Sequence, residues 1–174
     1  MGGAVLLIII VQLVMFALAG LIMWRVLASH RAREAAVLAN GPQSDATGAA
    51  VFPVRGIKYR SGVLMNKYSH NSVNPAFALT AEGVRVRIFR TVMLPYREMD
   101  GIDARRTITG IALIFMAEGR RRVLVARFGD AAIAARVLVS IPPSAPLTEA
   151  AALARDGTTT GAAVGLGGYR GRIN

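Results

Sequence analysis

The residues of this chain that could carry out chemistry fall in two short polar stretches. Tyr68–Ser72 places a hydroxyl, the imidazole of His70 and a carboxamide close together in sequence. Catalytic groups are usually brought together by the fold rather than by adjacency along the chain, so this stretch is more typical of a polar loop. Glu98, Asp100 and Asp103 supply carboxylate oxygens that could bind a divalent cation. Their spacing matches no known cation-binding loop, and neighbouring arginines favour internal ion pairs instead.

The motifs that mark common enzyme classes are absent from the sequence. There is no P-loop, no G-x-G-x-x-G, no H-E-x-x-H and no G-x-S-x-G. The chain has no cysteine, which excludes thiol nucleophiles, cysteine-ligated zinc and iron–sulfur clusters. Gly165–Gly168 is glycine-rich, but no predicted strand precedes it and no predicted helix follows it. We therefore expect no enzyme activity, and no catalytic, cofactor-binding or metal-binding residues.

Basic residues are the most distinctive chemical feature of the chain. Lys and Arg together number 21 against 10 Asp and Glu, which gives a formal net charge of +11 at pH 7. Most of them are arginines, whose planar guanidinium groups suit bidentate pairing with phosphate or carboxylate. The residues that we expect to bind an anionic lipid or an acidic protein partner are Lys58, Arg60, Arg105, Arg106, Arg120, Arg121 and Arg122.

Three explanations for the positive charge remain open. The charge could attract the protein to an anionic membrane surface, or it could pair with carboxylates of a protein partner. It could also reflect only the general excess of basic residues on the cytoplasmic side of membranes. We do not expect nucleic acid as a partner, because the aromatic residues that stack on bases make up only 6% of the chain.

The first 24 residues predict a membrane anchor. Ala4–Trp24 contains no formal charge, and Gln12 is its one strongly polar side chain. At a rise of about 1.5 Å per residue such a helix spans about 30 Å, the thickness of a bilayer core. A signal peptide would have a basic start and a small-residue cleavage site, whereas this run ends in Trp24 and Arg25. We expect a retained transmembrane helix with Trp24 and Arg25 at the membrane interface.

Flanking charge predicts the orientation of this helix. Arg25, Arg31 and Arg33 follow the apolar run, and no Lys or Arg precedes it. Since basic flanks stay on the cytoplasmic side, the N-terminus is expected outside and residues 25–174 in the cytoplasm. Gln12 would lie near the centre of the bilayer. It could hydrogen-bond a neighbouring helix, or it could be an isolated, tolerated glutamine.

The remaining sequence predicts a helix extension, a linker, a β domain and a tail. Residues 25–39 continue the helix to a stop at Asn40-Gly41-Pro42, and the small polar residues 40–50 read as a linker. A helix over residues 130–141, with Asp130 as its N-cap, follows the β region. Residues 142–174, rich in Ala, Gly and Pro, read as a flexible tail with a possible short helix, Leu147–Arg155. The predicted strands are Val51–Lys58, Val63–Tyr68, Phe77–Thr80, Val84–Phe89, Val92–Tyr96, Ile102–Arg106, Thr109–Met116 and Arg121–Phe128.

Two short motifs mark the middle of the β region. Leu79-Thr80-x-x-Gly83-Val84 leads into a strand with alternating arginines, and Leu94-Pro95-Tyr96-x-x-Met99-x-x-Ile102 joins the next two strands. With the β pair and helix that follow, this arrangement resembles the bacterial pleckstrin-homology-like (PH-like) domain, which often lies beside transmembrane helices. The resemblance implies an α+β protein in which about seven antiparallel strands form a small barrel or sandwich, residues 51–141, closed by one C-terminal helix.

The resemblance also implies a non-catalytic role at a membrane. We expect an accessory, scaffold or assembly subunit of a protein complex in the bacterial inner membrane, which docks through its Arg-rich cytoplasmic domain. The alternative is a membrane-tethered sensor of anionic lipid headgroups. In PH-like domains the first hairpin often holds such a headgroup, and Lys58 and Arg60 are similar in kind to those ligands.

Overall fold

A single long helix, α1 (Gly2–Asn40), begins the computed structural model, which describes residues 2–62, 67–71, 75–88 and 90–157. The helix runs without interruption through the apolar segment and its predicted extension. Gly41 ends it with a φ of 80°, a left-handed conformation that glycine adopts at little cost. The Gly41 N–H donates to the carbonyl oxygen of Val37 at 2.9 Å. The predicted stop at Asn40-Gly41-Pro42 is thus confirmed.

Ten strands and two further helices follow α1 within the described residues. The strands are β1 (Gln43–Ser44), β2 (Ala50–Phe52), β3 (Gly56–Ser61), β4 (Lys67–Asn71), β5 (Ala76–Leu79), β6 (Gly83–Arg87), β7 (Thr91–Pro95), β8 (Met99–Thr107), β9 (Gly110–Ala117) and β10 (Arg122–Phe128). A 3-10 turn, Tyr96–Glu98, separates β7 from β8, and the helices are α2 (Ala131–Val139) and α3 (Glu149–Arg155). The predicted α+β class is confirmed.

The strands form two antiparallel sheets that share one bent hairpin. The first sheet has the order β1-β2-β5-β6-β7 and the second the order β4-β3-β10-β9-β8. β2 and β3 follow one another across Pro53, yet β2 pairs with β5 in the first sheet and β3 with β4 in the second. The first long strand, β3, also pairs with the last, β10.

The core lies between the two sheets and is closed by α2. Phe77 packs on Phe115 and Phe128, with ring centroids 5.9 and 5.5 Å apart. The apolar side of α2 and the residue just after it are buried: Ile133, Ala134, Val137, Leu138 and Ile141. The carboxylate of Asp130 accepts the Ala132 N–H at 2.7 Å, which confirms the predicted N-cap.

The C-terminal segment differs from the prediction of a flexible tail from residue 142 onward. The Ile102 N–H donates to the Pro146 carbonyl at 2.7 Å, and the Thr148 N–H donates to the Ile102 carbonyl at 2.9 Å. α3 then packs on α2 and β8, with Ala151 and Ala154 buried. β8 is an edge strand, and its unpaired backbone groups explain why the chain returns to it. Residues 158–174 lie outside the described residues.

The segment predicted as a linker, residues 40–50, is also built into the domain. It contains β1, which pairs with β2 around a turn held by Asp45. The Asp45 carboxylate accepts hydrogen bonds from the Thr47 hydroxyl and N–H and from the Ala49 N–H, and it pairs with Arg85 on β6. The Thr47 hydrogen bonds hold the pKa of Asp45 below its usual value. The composition of the segment gave no sign of this long-range pairing.

Candidate interaction surfaces

The apolar part of α1 carries most of the exposed large hydrophobic side chains among the described residues. The segment Leu7–Asn40 is long and apolar enough to cross a membrane, and none of its apolar window is buried against the rest of the chain. Gln12 and Arg25 are exposed along it, and 65% of Trp24 is exposed. Hydrophobic side chains uncovered over this length need a partner other than water, in agreement with the sequence prediction for this segment.

The end of α1 is fastened to the β domain by a forked ion pair. Arg55 Nε lies 3.0 Å from Glu34 Oε1, and Arg55 Nη2 lies 3.1 Å from Glu34 Oε2. The Glu34 side chain is only 11% exposed. Arg55 Nη1 also donates to the Thr109 carbonyl at 3.3 Å, on the turn between β8 and β9. The hydrogen bonds to Glu34 raise the pKa of Arg55 despite its partial burial.

A second arginine closes the last turn of α1. Arg136 on α2 donates to the Val37 and Leu38 carbonyl oxygens, each at 2.6 Å. The Leu38 carbonyl has no partner within the helix, because residue 42 is a proline without an N–H, and Arg136 satisfies it. The Val37 carbonyl, which already accepts from the Gly41 N–H, gains a second donor. With Arg55, Arg136 forms what we call the clasp: Glu34, Arg55, Arg136 and the carbonyls of Val37 and Leu38. The sequence carried one signal for the clasp, since Glu34 is the only acidic residue before Asp45.

The predicted anion-binding residues are divided between the two ends of the second sheet. Arg105 and Arg106 lie at the end of β8 beside the clasp, whereas Arg120–Arg122 lie at the turn from β9 to β10. β9 separates the two groups, and at about 3.3 Å per residue its ends are about 23 Å apart. Arg60 on β3 lies opposite Val123, near the Arg120–Arg122 end. The fold therefore creates two basic surfaces rather than one.

Lys58, which was predicted to bind an anion, lies on β3. Lys58 lies opposite Val125 on β10 and opposite His70 on β4. The Lys58 side chain is half-buried and already has an interaction within the protein. The tip of this first hairpin, residues 63–66, and the side chains of β4, including that of His70, lie outside the described part. The predicted headgroup site at this hairpin therefore remains a prediction.

Arg122 corrects the prediction that all three arginines at the β9–β10 turn are available to an anion. Its guanidinium donates to Tyr59 Oη at 3.0 Å, Glu98 Oε2 at 3.1 Å, Glu118 Oε1 at 3.0 Å and the Met93 carbonyl at 2.9 Å. Burial alone would lower the pKa of Arg122, but the hydrogen bonds to Tyr59 and Glu118 outweigh it, so the pKa is raised. Arg122 links the first sheet to the second.

The acidic residues that could have held a cation are engaged in internal contacts. Glu98 pairs with Arg122, and Asp103 Oδ2 pairs with Arg105 Nε at 3.0 Å. Asp103 Oδ1 also accepts from the Thr148 hydroxyl at 2.9 Å. Asp100 accepts the Arg120 N–H at 3.2 Å. In the described part of the chain, no three His, Asp or Glu residues are grouped in a way that could hold a metal ion.

Each end of the second sheet presents exposed arginines. Arg60 and Arg121 are exposed at one end and Arg106 at the other. Arg105 and Arg120 are also exposed, although both make contacts within the protein. Beside Arg106 the turn between β8 and β9 carries Ile108, whose side chain is fully exposed. Among the described residues, no large apolar side chain is exposed near Arg121, whereas the surface near Arg106 combines charge with an apolar tip.

A buried phenol lies at the start of the 3-10 turn. Tyr96 Oη is buried and is the one side-chain oxygen or nitrogen in the described residues that is both buried and without a hydrogen-bond partner. Burial raises the pKa of Tyr96 to about 12. The residue lines a surface cavity together with Glu82, Arg97 and Pro142. A buried hydroxyl without a partner costs stability, so this group weakens the fold at the point where it sits.

Replacing Tyr96 with phenylalanine is expected to raise the free energy of unfolding at neutral pH by about 1 kcal/mol. An exposed tyrosine has a pKa of about 10, so the folded protein holds this proton more tightly than the unfolded chain. The folded state is favoured by protonation of Tyr96. This contribution to stability is fully present below pH about 10, and it is lost as the pH rises through about 12, because the folded protein must then ionise a buried phenol. Chemical denaturation across this range should show a smaller alkaline loss in Y96F. The control is Y59F. It removes a hydroxyl that accepts from Arg122, so its stability at neutral pH should fall. Equal behaviour of the two variants would contradict the assignment of Tyr96 as a buried hydroxyl without a partner.

No protein-family model matches the chain, and no curated protein sequence matches it significantly.

Proposed function

We propose that this protein is a single-pass membrane protein that recruits or assembles other subunits through a PH-like domain. α1 would cross the bacterial inner membrane with its N-terminus outside, because the basic flank follows the apolar run. The β domain would then lie in the cytoplasm. The two antiparallel sheets and the closing helix α2 support the PH-like assignment.

The observation that carries the docking role is the position of the exposed arginines Arg60 and Arg121. They lie at the end of the second sheet that is about 23 Å, along β9, from the turn held by the clasp. The clasp contacts hold the domain to the end of α1, so this end is presented at a fixed distance from the anchor. Arginine suits carboxylate partners, and we propose an acidic surface of a neighbouring membrane subunit as the partner.

Affinity purification of the tagged full-length protein from membranes in mild detergent tests this role. The double variant R60E/R121E should lose its co-purifying subunits by at least about tenfold, since charge reversal places like charges together. R106E, which reverses one charge at the other end of the sheet, should retain them. Recovery should also fall with added salt.

Two outcomes would contradict the proposal. If the wild-type protein is recovered alone, without stoichiometric subunits, it is not a scaffold or accessory subunit. If R60E/R121E recovers the same subunits as the wild type, the partner binds elsewhere. A wild-type protein recovered with anionic phospholipid instead of protein would support the alternative role as a lipid sensor, for which the basic surface beside the clasp is the best candidate.

A further inference from the structure

We propose that the turn between β8 and β9 is a second membrane contact, which binds anionic phospholipid headgroups through Arg106 and Arg105 and inserts Ile108 at its tip. The proposal rests on the membrane anchor of the proposed function but not on the docking role. It assigns opposite ends of the second sheet to different partners.

The first observation is the exposure of Ile108. Turn tips favour Gly, Asn, Asp or Ser, whereas this one presents a fully exposed isoleucine. Within the described part of the β domain and its C-terminal helices, the only other large apolar side chain exposed to a comparable degree is Val139. A single exposed apolar side chain is ordinary on a protein surface, so the relevant feature is its position at a turn tip directly beside the exposed Arg106.

The second observation is that the turn has a fixed shape. Thr107 donates its hydroxyl proton to the Gly110 carbonyl at 3.0 Å. Gly110 has a φ of 138°, and a Cβ at that position would lie 2.0 Å from the Phe128 carbonyl oxygen. The backbone of Gly110 therefore lies directly against the end of β10. Ile108 projects from a rigid support and not from a loop that could fold it inward.

The third observation is the place of the turn beside α1. The Thr109 carbonyl accepts from Arg55, which grips Glu34 of the helix. Glu34 lies ten residues after Trp24, or about 15 Å along the helix axis. Headgroups extend about 6 Å beyond the hydrocarbon on each side. About 9 Å then separates Glu34 from the headgroups, a distance that a long arginine side chain can largely span in a helix with the usual tilt of about 20°.

The chemistry of the turn matches that of an anionic bilayer surface. The guanidinium of Arg106 is exposed, and that of Arg105 is half-exposed beside its partner Asp103. Guanidinium groups pair with phosphate through two parallel hydrogen bonds. An apolar residue flanked by basic ones is the pattern of side chains that enter the interface between headgroups and acyl chains. In the turn at the opposite end, residues 118–121, no large apolar side chain is exposed.

The absence of cysteine from the chain allows a direct test with single labels. Full-length I108C, carrying an environment-sensitive fluorophore, is reconstituted into nanodiscs of phosphatidylcholine with or without phosphatidylglycerol. The emission should shift to the blue in the anionic nanodiscs, and a nitroxide at the headgroup should quench it. The shift should be lost in I108C/R106E. The matched control is E118C, at the opposite turn, which should show no shift in either lipid.

Three outcomes would overturn the proposal. The labels at 108 and 118 could respond alike, the response at 108 could be the same in neutral and anionic nanodiscs, or it could need a co-purified subunit instead of lipid. A label at V14C separates failure of the anchor from failure of the turn. If acyl-chain nitroxides quench position 14 while position 108 stays in water, the anchor stands and the lipid contact is wrong. If position 14 is not quenched, both fail.

Discussion

Replacing Arg122 with alanine is expected to lower the free energy of unfolding of the β domain by about 3 kcal/mol. The guanidinium, whose side chain is 21% exposed, joins Tyr59 on β3 to the Met93 carbonyl on β7. Its loss would leave these half-buried groups without a donor and place the carboxylates of Glu98 and Glu118 near each other without a cation. The two sheets would lose their polar link.

The measurement is chemical denaturation of the full-length protein in detergent, followed by circular dichroism of the β signal. R121A is the matched control, because Arg121 is the exposed neighbour of Arg122 and should change stability by less than about 0.5 kcal/mol. R122K should fall between the two, since an ammonium cannot form the same fork. If R122A and R121A are equally stable, Arg122 is not a structural link and returns to the set of available anion ligands.

Replacing Arg55 with alanine is expected to loosen the joint between α1 and the β domain. Glu34 would stay largely buried without its forked partner. Removing one partner of a buried pair costs 3–5 kcal/mol, and because Arg55 itself is 38% exposed we expect about 2 kcal/mol here. Local opening of the helix end would then become about 30-fold more frequent. The domain core, which Arg55 does not enter, should keep its stability.

Amide hydrogen exchange over residues 34–41 measures this opening directly. R31A is the matched control, because Arg31 is exposed on the same helix and should leave the exchange rate unchanged. The double variant E34A/R55A should exchange more slowly than the sum of the single effects predicts, since no unpaired carboxylate remains. Exchange at the wild-type rate in R55A would show that the clasp does not hold the helix end.

Local sequence patterns were sufficient to predict most elements, because those elements depend on nearby residues. The alternation of Val84, Arg85 and Val86 predicted β6, and Asp130 marked the start of α2. The expected single strand Val51–Lys58 is instead broken between β2 and β3 around Pro53. Proline has no N–H for a strand ladder, yet the change of partner from β5 to β4 depends on residues far along the chain and could not be predicted locally.

The site was predicted in composition but not in arrangement. The seven basic residues were named as one set, and the fold divides them between two ends and turns Arg122 inward. A signal for Arg122 was present, because it shares the inward phase of Leu124, Ala126 and Phe128 along β10. The clasp was missed because helix propensity explains Glu34 without reference to a partner 21 residues away. Pairings of this kind are set by the fold.

The pairing of β3 with β10 has a consequence for the synthesis of the protein. β3 cannot form its ladder with β10 before β10 has been synthesised. The second sheet therefore stays incomplete until residues 122–128 have left the ribosome. Such distant pairings slow folding. If α1 crosses the bilayer as proposed above, the open sheet would be held near the membrane until synthesis finishes. Variants that weaken β10 should therefore prolong an aggregation-prone, partly folded intermediate during biogenesis. Proteases or chaperones at the membrane would bind this intermediate before the mature protein forms.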